Sequence, residues 1–94
     1  MSEASGEFTI INRLGLHARA AARLVQLASA YPCDIVASRD GQTANAKSVM
    51  GVLLLCGAKG TRLKLEARGP QANEAVRALG DLIGSGFGEE EEEN

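Results

Sequence analysis

The chain has 94 residues with 10 Lys and Arg against 12 Asp and Glu, a formal charge of −2, which leaves room for one small domain and no second. Five of the acids are Glu89 to Glu93, so residues 1–88 carry 10 basic residues against 7 acidic, a balance of +3. That surplus is too small for nucleic-acid binding by bulk charge, and 3% aromatic residues with no Trp offer few surfaces on which bases could stack. The N-terminus has neither a basic start nor a long apolar stretch, and the apolar run from Val52 to Cys56 is far too short for a bilayer, so a cytoplasmic protein with no membrane association is expected. Cys33 and Cys56 lie outside any CxxC spacing and His17 is the single histidine. A zinc site of four protein ligands is therefore not expected, and both thiols are expected to be small buried hydrophobes.

In chain order, Glu7 to Asn12 is rich in β-branched and aromatic residues and places Phe8 and Ile10 on one face, which predicts a first strand. From Ala18 to Tyr31 the apolar positions Ala21, Leu24, Val25, Ala28 and Tyr31 follow helical spacing, and Pro32 marks the end. Asp34 to Ser38 predicts a strand, Asp40-Gly41 a tight turn tolerant of positive φ, and Gln42 to Ala46 the return strand. Ser48 to Cys56 is apolar throughout, so periodicity leaves helix and buried strand both open; helix is favoured. Leu63, Leu65 and Ala67 alternate with Lys64, Glu66 and Arg68, as in a sheet with one wet face. After Gly69-Pro70, the positions Ala72, Ala75, Val76, Leu79, Leu82 and Ile83 predict a last helix closed by Gly84-Ser85-Gly86. The order β-α-β-β-α-β-α predicts an α+β fold, with helices on one face of a mainly antiparallel four-stranded sheet.

His17 stands at the junction of the first strand and first helix, after the turn suggested by Gly15. A helix start exposes unpaired N–H groups and partial positive charge, which disfavours a protonated imidazole and favours phosphate or another anion. Arg13 and Arg19 flank the ring in sequence, and a guanidinium complements a phosphoryl group with paired donors. The plain alternative is a solvated or capping histidine. No other histidine accompanies it, and Glu7, Asp34, Asp40, Glu66, Glu74 and Asp81 form no acid–base motif, so an autonomous hydrolase is not expected.

Gly15-Leu16-His17-Ala18-Arg19-Ala20-Ala21, Ala46-Lys47-Ser48-Val49-Met50-Gly51-Val52 and Ala58-Lys59-Gly60 together resemble the HPr family of histidine phosphocarriers of the bacterial phosphotransferase system. The likeness runs from about Phe8 to Phe87. Asn12-Arg13-Leu14-Gly15, Gly69-Pro70-Gln71 and Ser85-Gly86-Phe87 look most like its nitrogen-related branch, NPr. The resemblance implies an open-faced β-sandwich, three helices over a four-stranded antiparallel sheet, spanning residues 1–88 as a single domain. It also implies a carrier rather than an enzyme, a monomer, and no cofactor. His17 would accept phosphate on Nδ1 from Enzyme I and pass it to a IIA-type acceptor, in sugar transport or a regulatory nitrogen-type relay, with Arg19 stabilising the phosphate. Ser48 resembles the regulatory serine modified by HPr kinase/phosphorylase, and Arg23, Lys47, Met50 and Leu53 would meet partners, with Leu54 on the same apolar helix. The rival reading is an interaction module on this fold that carries no phosphate.

The chain departs from the family in two places. Ala20 stands where the family usually has proline after the motif's arginine; alanine suits a helix and restores a backbone N–H, so the fold is expected to survive. Residues 89–94 are the other: a block of like charge that repels itself predicts a disordered acidic tail.

Overall fold

The computed structural model describes residues 2–89. Seven elements follow in the order expected: β1 (Glu3–Thr9), α1 (Ala18–Ser29), β2 (Asp34–Arg39), β3 (Gln42–Asn45), α2 (Val49–Leu54), β4 (Arg62–Arg68) and α3 (Ala72–Gly84). The strands form one antiparallel sheet in the order β1-β4-β2-β3. Alternation along β4 puts Leu63, Leu65 and Ala67 into the core and leaves Arg62, Lys64, Glu66 and Arg68 on the open face. There Arg62 pairs with Glu7 at 2.9 Å and Arg68 with Glu3 at 3.0 Å.

β1 starts four residues before the expected strand. Its ladder with β4 runs from Glu3↔Arg68 to Thr9↔Arg62, so cross-strand hydrogen bonds extend it through residues whose own strand preference is weak. Gly6 makes this possible: a Cβ there would lie 2.8 Å from the Phe8 ring, and one on Gly80 of α3 would lie 2.3 Å from it. The two glycines thus let the Phe8 ring fit between β1 and α3.

α1 ends at Ser29 rather than Tyr31. The N–H groups of Ala30 and Tyr31 tighten onto the carbonyls of Leu27 and Ala28, and Pro32 biases the preceding residue away from the helical region. α2 is a helix, as favoured over a strand, with Ser48 as its N-cap. At the β2–β3 turn Asp40 and Gly41 both have positive φ, 49° and 83°, as a two-residue hairpin requires.

The expectation of two buried thiols holds for Cys33 and fails for Cys56, which is exposed. Cys56 follows the C-cap of α2 with φ 54°, and this left-handed step turns its side chain away from the core that Leu55 enters. The core is one cluster beneath the helices, with Ile10, Leu24, Leu63, Leu65, Leu79 and Phe87 among its fully buried side chains. Among the described residues no helix is long and apolar enough to cross a membrane.

Candidate functional site

The β1–α1 connection holds His17 by a chain of short backbone commitments. Gly15 N–H donates to the Asn12 carbonyl and Leu16 N–H to the Gly57 carbonyl at 2.8 Å. Gly15 has φ 66°, and a Cβ there would sit 2.3 Å from that same Gly57 oxygen, so only glycine fits. Leu16 then enters the core, and the next residue, His17, opens α1.

His17 is the N-cap by backbone position, with φ −76° and ψ −179°, and its carbonyl accepts the first helical bond from Ala21 N–H. Its side chain caps nothing. The N–H groups of Ala18, Arg19 and Ala20 precede that first bond and have no partner within the helix. Ala20 is fully buried and stands third in α1, so its N–H joins this free set where proline would contribute none. Arg19 is exposed beside them.

Glu89, expected in the acidic tail, stands beside the imidazole. Glu89 Oε2 lies 2.5 Å from His17 Nε2, and the side chains of these two residues are 13% and 27% exposed. Asn12, fully buried, donates from Nδ2 both to Glu89 Oε1 at 3.0 Å and to the Gly15 carbonyl at 2.9 Å. Both partners are acceptors, which fixes the amide's orientation and leaves Asn12 Oδ1 buried without a hydrogen bond. Burial alone would raise the Glu89 pKa. The hydrogen bonds from Asn12 and His17 and the charges of His17 and Arg19 outweigh it and hold the carboxyl below its ordinary value.

Glu89 reaches this position because the chain after α3 is tied down. Phe87 is fully buried, with φ 61°, and its N–H donates to the Leu82 carbonyl. Gly86 and Gly88 take φ near 70° on either side of it, and Glu89 N–H donates to the Gly86 carbonyl. Arg23 Nη1 donates to the Phe87 carbonyl at 2.5 Å. The folded segment therefore extends through Glu89, one residue past the expected boundary, while residues 90–94 lie outside the described residues.

The remaining expected site residues fall in two groups. Arg23 and Lys47 are half-buried and hold backbone: Arg23 the Phe87 carbonyl, Lys47 Nζ the Tyr31 carbonyl at 2.8 Å. Ser48 Oγ accepts from Gly51 N–H at 3.1 Å and so caps α2. Met50 is 67% exposed, but Leu53 packs against the core and Leu54, 70% exposed, is the residue that faces outward with Met50. α2 packs against α1, and Leu14 is also exposed near the start of the His17 loop. Among the described residues no three His, Cys, Asp or Glu side chains converge as metal ligands would.

A lone histidine at the open end of a helix, over a four-stranded sheet of this order, defines a small α+β protein that presents one imidazole beside unpaired N–H groups of a helix start. The family model described as the PTS HPr component phosphorylation site matches residues 4–85. The phosphocarrier protein HPr of Pseudomonas aeruginosa is 48% identical over 86 residues, covering 90% of this chain and 96% of that protein. The phosphocarrier protein NPr of Escherichia coli is 42% identical over 82 residues, covering 86% and 91%. In three dimensions the chain is similar to the crystal structure of HPr-C-His from Thermoanaerobacter tengcongensis, with a TM-score of 0.86, 46% identity and coverage of 96% and 99%. The chain belongs to the HPr family and is a phosphoryl carrier of the phosphotransferase system, not an enzyme. The higher identity of the HPr relative means that sequence similarity does not single out the NPr branch.

Proposed function

We propose that His17 is the residue that carries the phosphoryl group, accepting it on Nδ1 from phospho-Enzyme I and passing it to a IIA-type acceptor. The observation that supports this most is the uncapped start of α1: free N–H groups of Ala18, Arg19 and Ala20 beside the chain's only imidazole, whose ring makes no capping bond of its own. These donors and the Arg19 guanidinium suit the dianionic oxygens of a phosphoryl group. One copy of the chain holds the whole constellation, consistent with a monomeric carrier. Met50 and Leu54, exposed on α2 where it packs on α1, suit a small and transient interface with larger partners. Ser48 is a regulatory phosphorylation position in this reading, with HPr kinase/phosphorylase as its modifying partner. A phosphate there would replace a hydroxyl that already accepts from a helix-start N–H. The test is incubation with Enzyme I and labelled phosphoenolpyruvate. Acid-labile phosphate on the wild type and none on His17→Ala supports the assignment; an unlabelled wild type would leave a binding module that carries no phosphate.

A further inference from the structure

We propose that Glu89 is a positioning residue for His17: its carboxylate, aligned by Asn12, fixes the proton of the neutral imidazole on Nε2 and so leaves Nδ1 as the nucleophile toward the helix start. The inference rests on His17 being the acceptor, as proposed above. An ionised carboxylate only accepts hydrogen bonds, so in the neutral ring the Nε2 that faces Glu89 Oε2 at 2.5 Å must be the protonated nitrogen. The lone pair then sits on Nδ1. Among the described residues the charged and polar groups facing Glu89 are His17, Asn12 and Arg19, with Arg23 held nearby on the Phe87 carbonyl, and none of these is an acid that would compete for the imidazole proton.

The same geometry follows the reaction through. The Nδ1 lone pair forms the new N–P bond while the donor's N–P bond breaks and its electron pair stays on the donor nitrogen. No proton leaves His17, since Nε2–H is not involved. The substituted ring has both nitrogens occupied and is cationic, and the Glu89 carboxylate lies beside that new charge, as the orienting third group does in a nucleophile–base–carboxylate arrangement.

Glu89→Gln makes a directional test because Asn12 cannot follow the change. Asn12 Nδ2 donates to both Gly15 O and position 89 Oε1. A glutamine that keeps its oxygen toward Asn12 turns its NH2 toward His17 Nε2, which demands a lone pair there and puts the proton on Nδ1. The experiment reads the tautomer by 15N NMR of the imidazole, titrated until the ring is neutral, and the rate of phosphorylation by phosphoramidate, a small N–P donor that needs no partner protein. Wild type should be the Nε2–H form. Glu89→Gln should shift toward Nδ1–H and react roughly tenfold slower, the scale of one charge-assisted hydrogen bond, with Glu89→Asp recovering part of both. Circular dichroism confirms that the variants are folded. An unchanged tautomer and rate in Glu89→Gln would reduce the contact to a surface ion pair, and a faster rate would make the carboxylate a plug that phosphate displaces; either overturns the proposal. Because phosphoramidate bypasses Enzyme I, a failure here is separable from a failure of the proposed relay.

Discussion

α1 and α2 both begin at a polar residue in extended conformation, and they treat their free N–H groups in opposite ways. Ser48 turns its hydroxyl inward and accepts from Gly51 N–H, so the start of α2 is satisfied by its own side chain. His17 at the start of α1 turns its ring away toward Glu89, 72 residues later in the chain, and leaves the helix donors open. A helix start that caps itself is a structural end. One that declines to do so leaves its donors open beside the imidazole, where the proposed phosphoryl group would sit.

Removing the two cap residues in turn should break this comparison most sharply. His17→Ala is expected to abolish acid-labile phosphorylation completely while costing about 1 kcal/mol or less of stability, because the ring makes no cap bond and loses only its Glu89 contact. Mass spectrometry after reaction with Enzyme I and phosphoenolpyruvate reads the first and urea denaturation the second. Any acid-labile phosphate on the variant would take His17 out of its role.

Ser48 should give the complementary result. Ser48→Ala is expected to cost about 1 kcal/mol through the lost cap, with transfer rates unaltered. Ser48→Asp should keep α2 folded but raise the apparent binding constant for Enzyme I about tenfold, since an added anion beside exposed Met50 must be desolvated or meet like charge. Equal kinetics of the two variants at low salt would leave Ser48 as a cap and nothing more.

The pH dependence sharpens the contrast further. The Glu89 carboxyl titrates below its ordinary value of 4.5 in the folded chain, so its contact stabilises the fold above that pH and the contribution is lost as pH falls through the lower, folded value. A chain ending at Gly88 should therefore be less stable than wild type by about 1 kcal/mol at neutral pH, with the difference closing in acid. The Ser48→Ala deficit should persist there, since a hydroxyl does not titrate in that range. Melting curves from pH 7 to pH 2 for the three chains check both; a truncation deficit that stays constant in acid would contradict the Glu89 contact.

The smallest effect is expected from Arg19→Ala, roughly threefold slower transfer in single-turnover measurements, because the backbone donors remain when one exposed charge is lost. An unchanged rate would leave Arg19 as a solvated charge.

Local patterns made most of the fold readable. The alternation of β4 and the helical spacing of Leu24 and Ala28, or of Val76 and Leu79, report burial directly, because a single side chain's periodicity follows its face. The position of His17 at a helix start was readable as well, from its place between a glycine turn and an amphipathic helix. What escaped was settled by distant partners or by single backbone steps. β1 begins at Glu3 because β4 offers it a ladder, and Cys56 is exposed because of one left-handed step. Glu89 reads in the sequence as the first of five equivalent acids. What sets it apart is Phe87: a buried aromatic between two positive-φ glycines makes a fixed turn, and the acid two residues on inherits that fixed position. The Gly86-Phe87-Gly88 spacing before the acidic run was the available signal.

Backbone amide shifts on phosphorylation test the central claim most directly, comparing 1H–15N spectra before and after reaction with Enzyme I and phosphoenolpyruvate. With the phosphoryl group on His17 Nδ1, the N–H signals of Ala18, Arg19 and Ala20 should move strongly downfield, while those of Val49, Met50 and Gly51 at the self-capped helix stay in place. Phosphorylation that leaves the α1 amides unmoved would contradict the assignment of that helix start as the phosphate site.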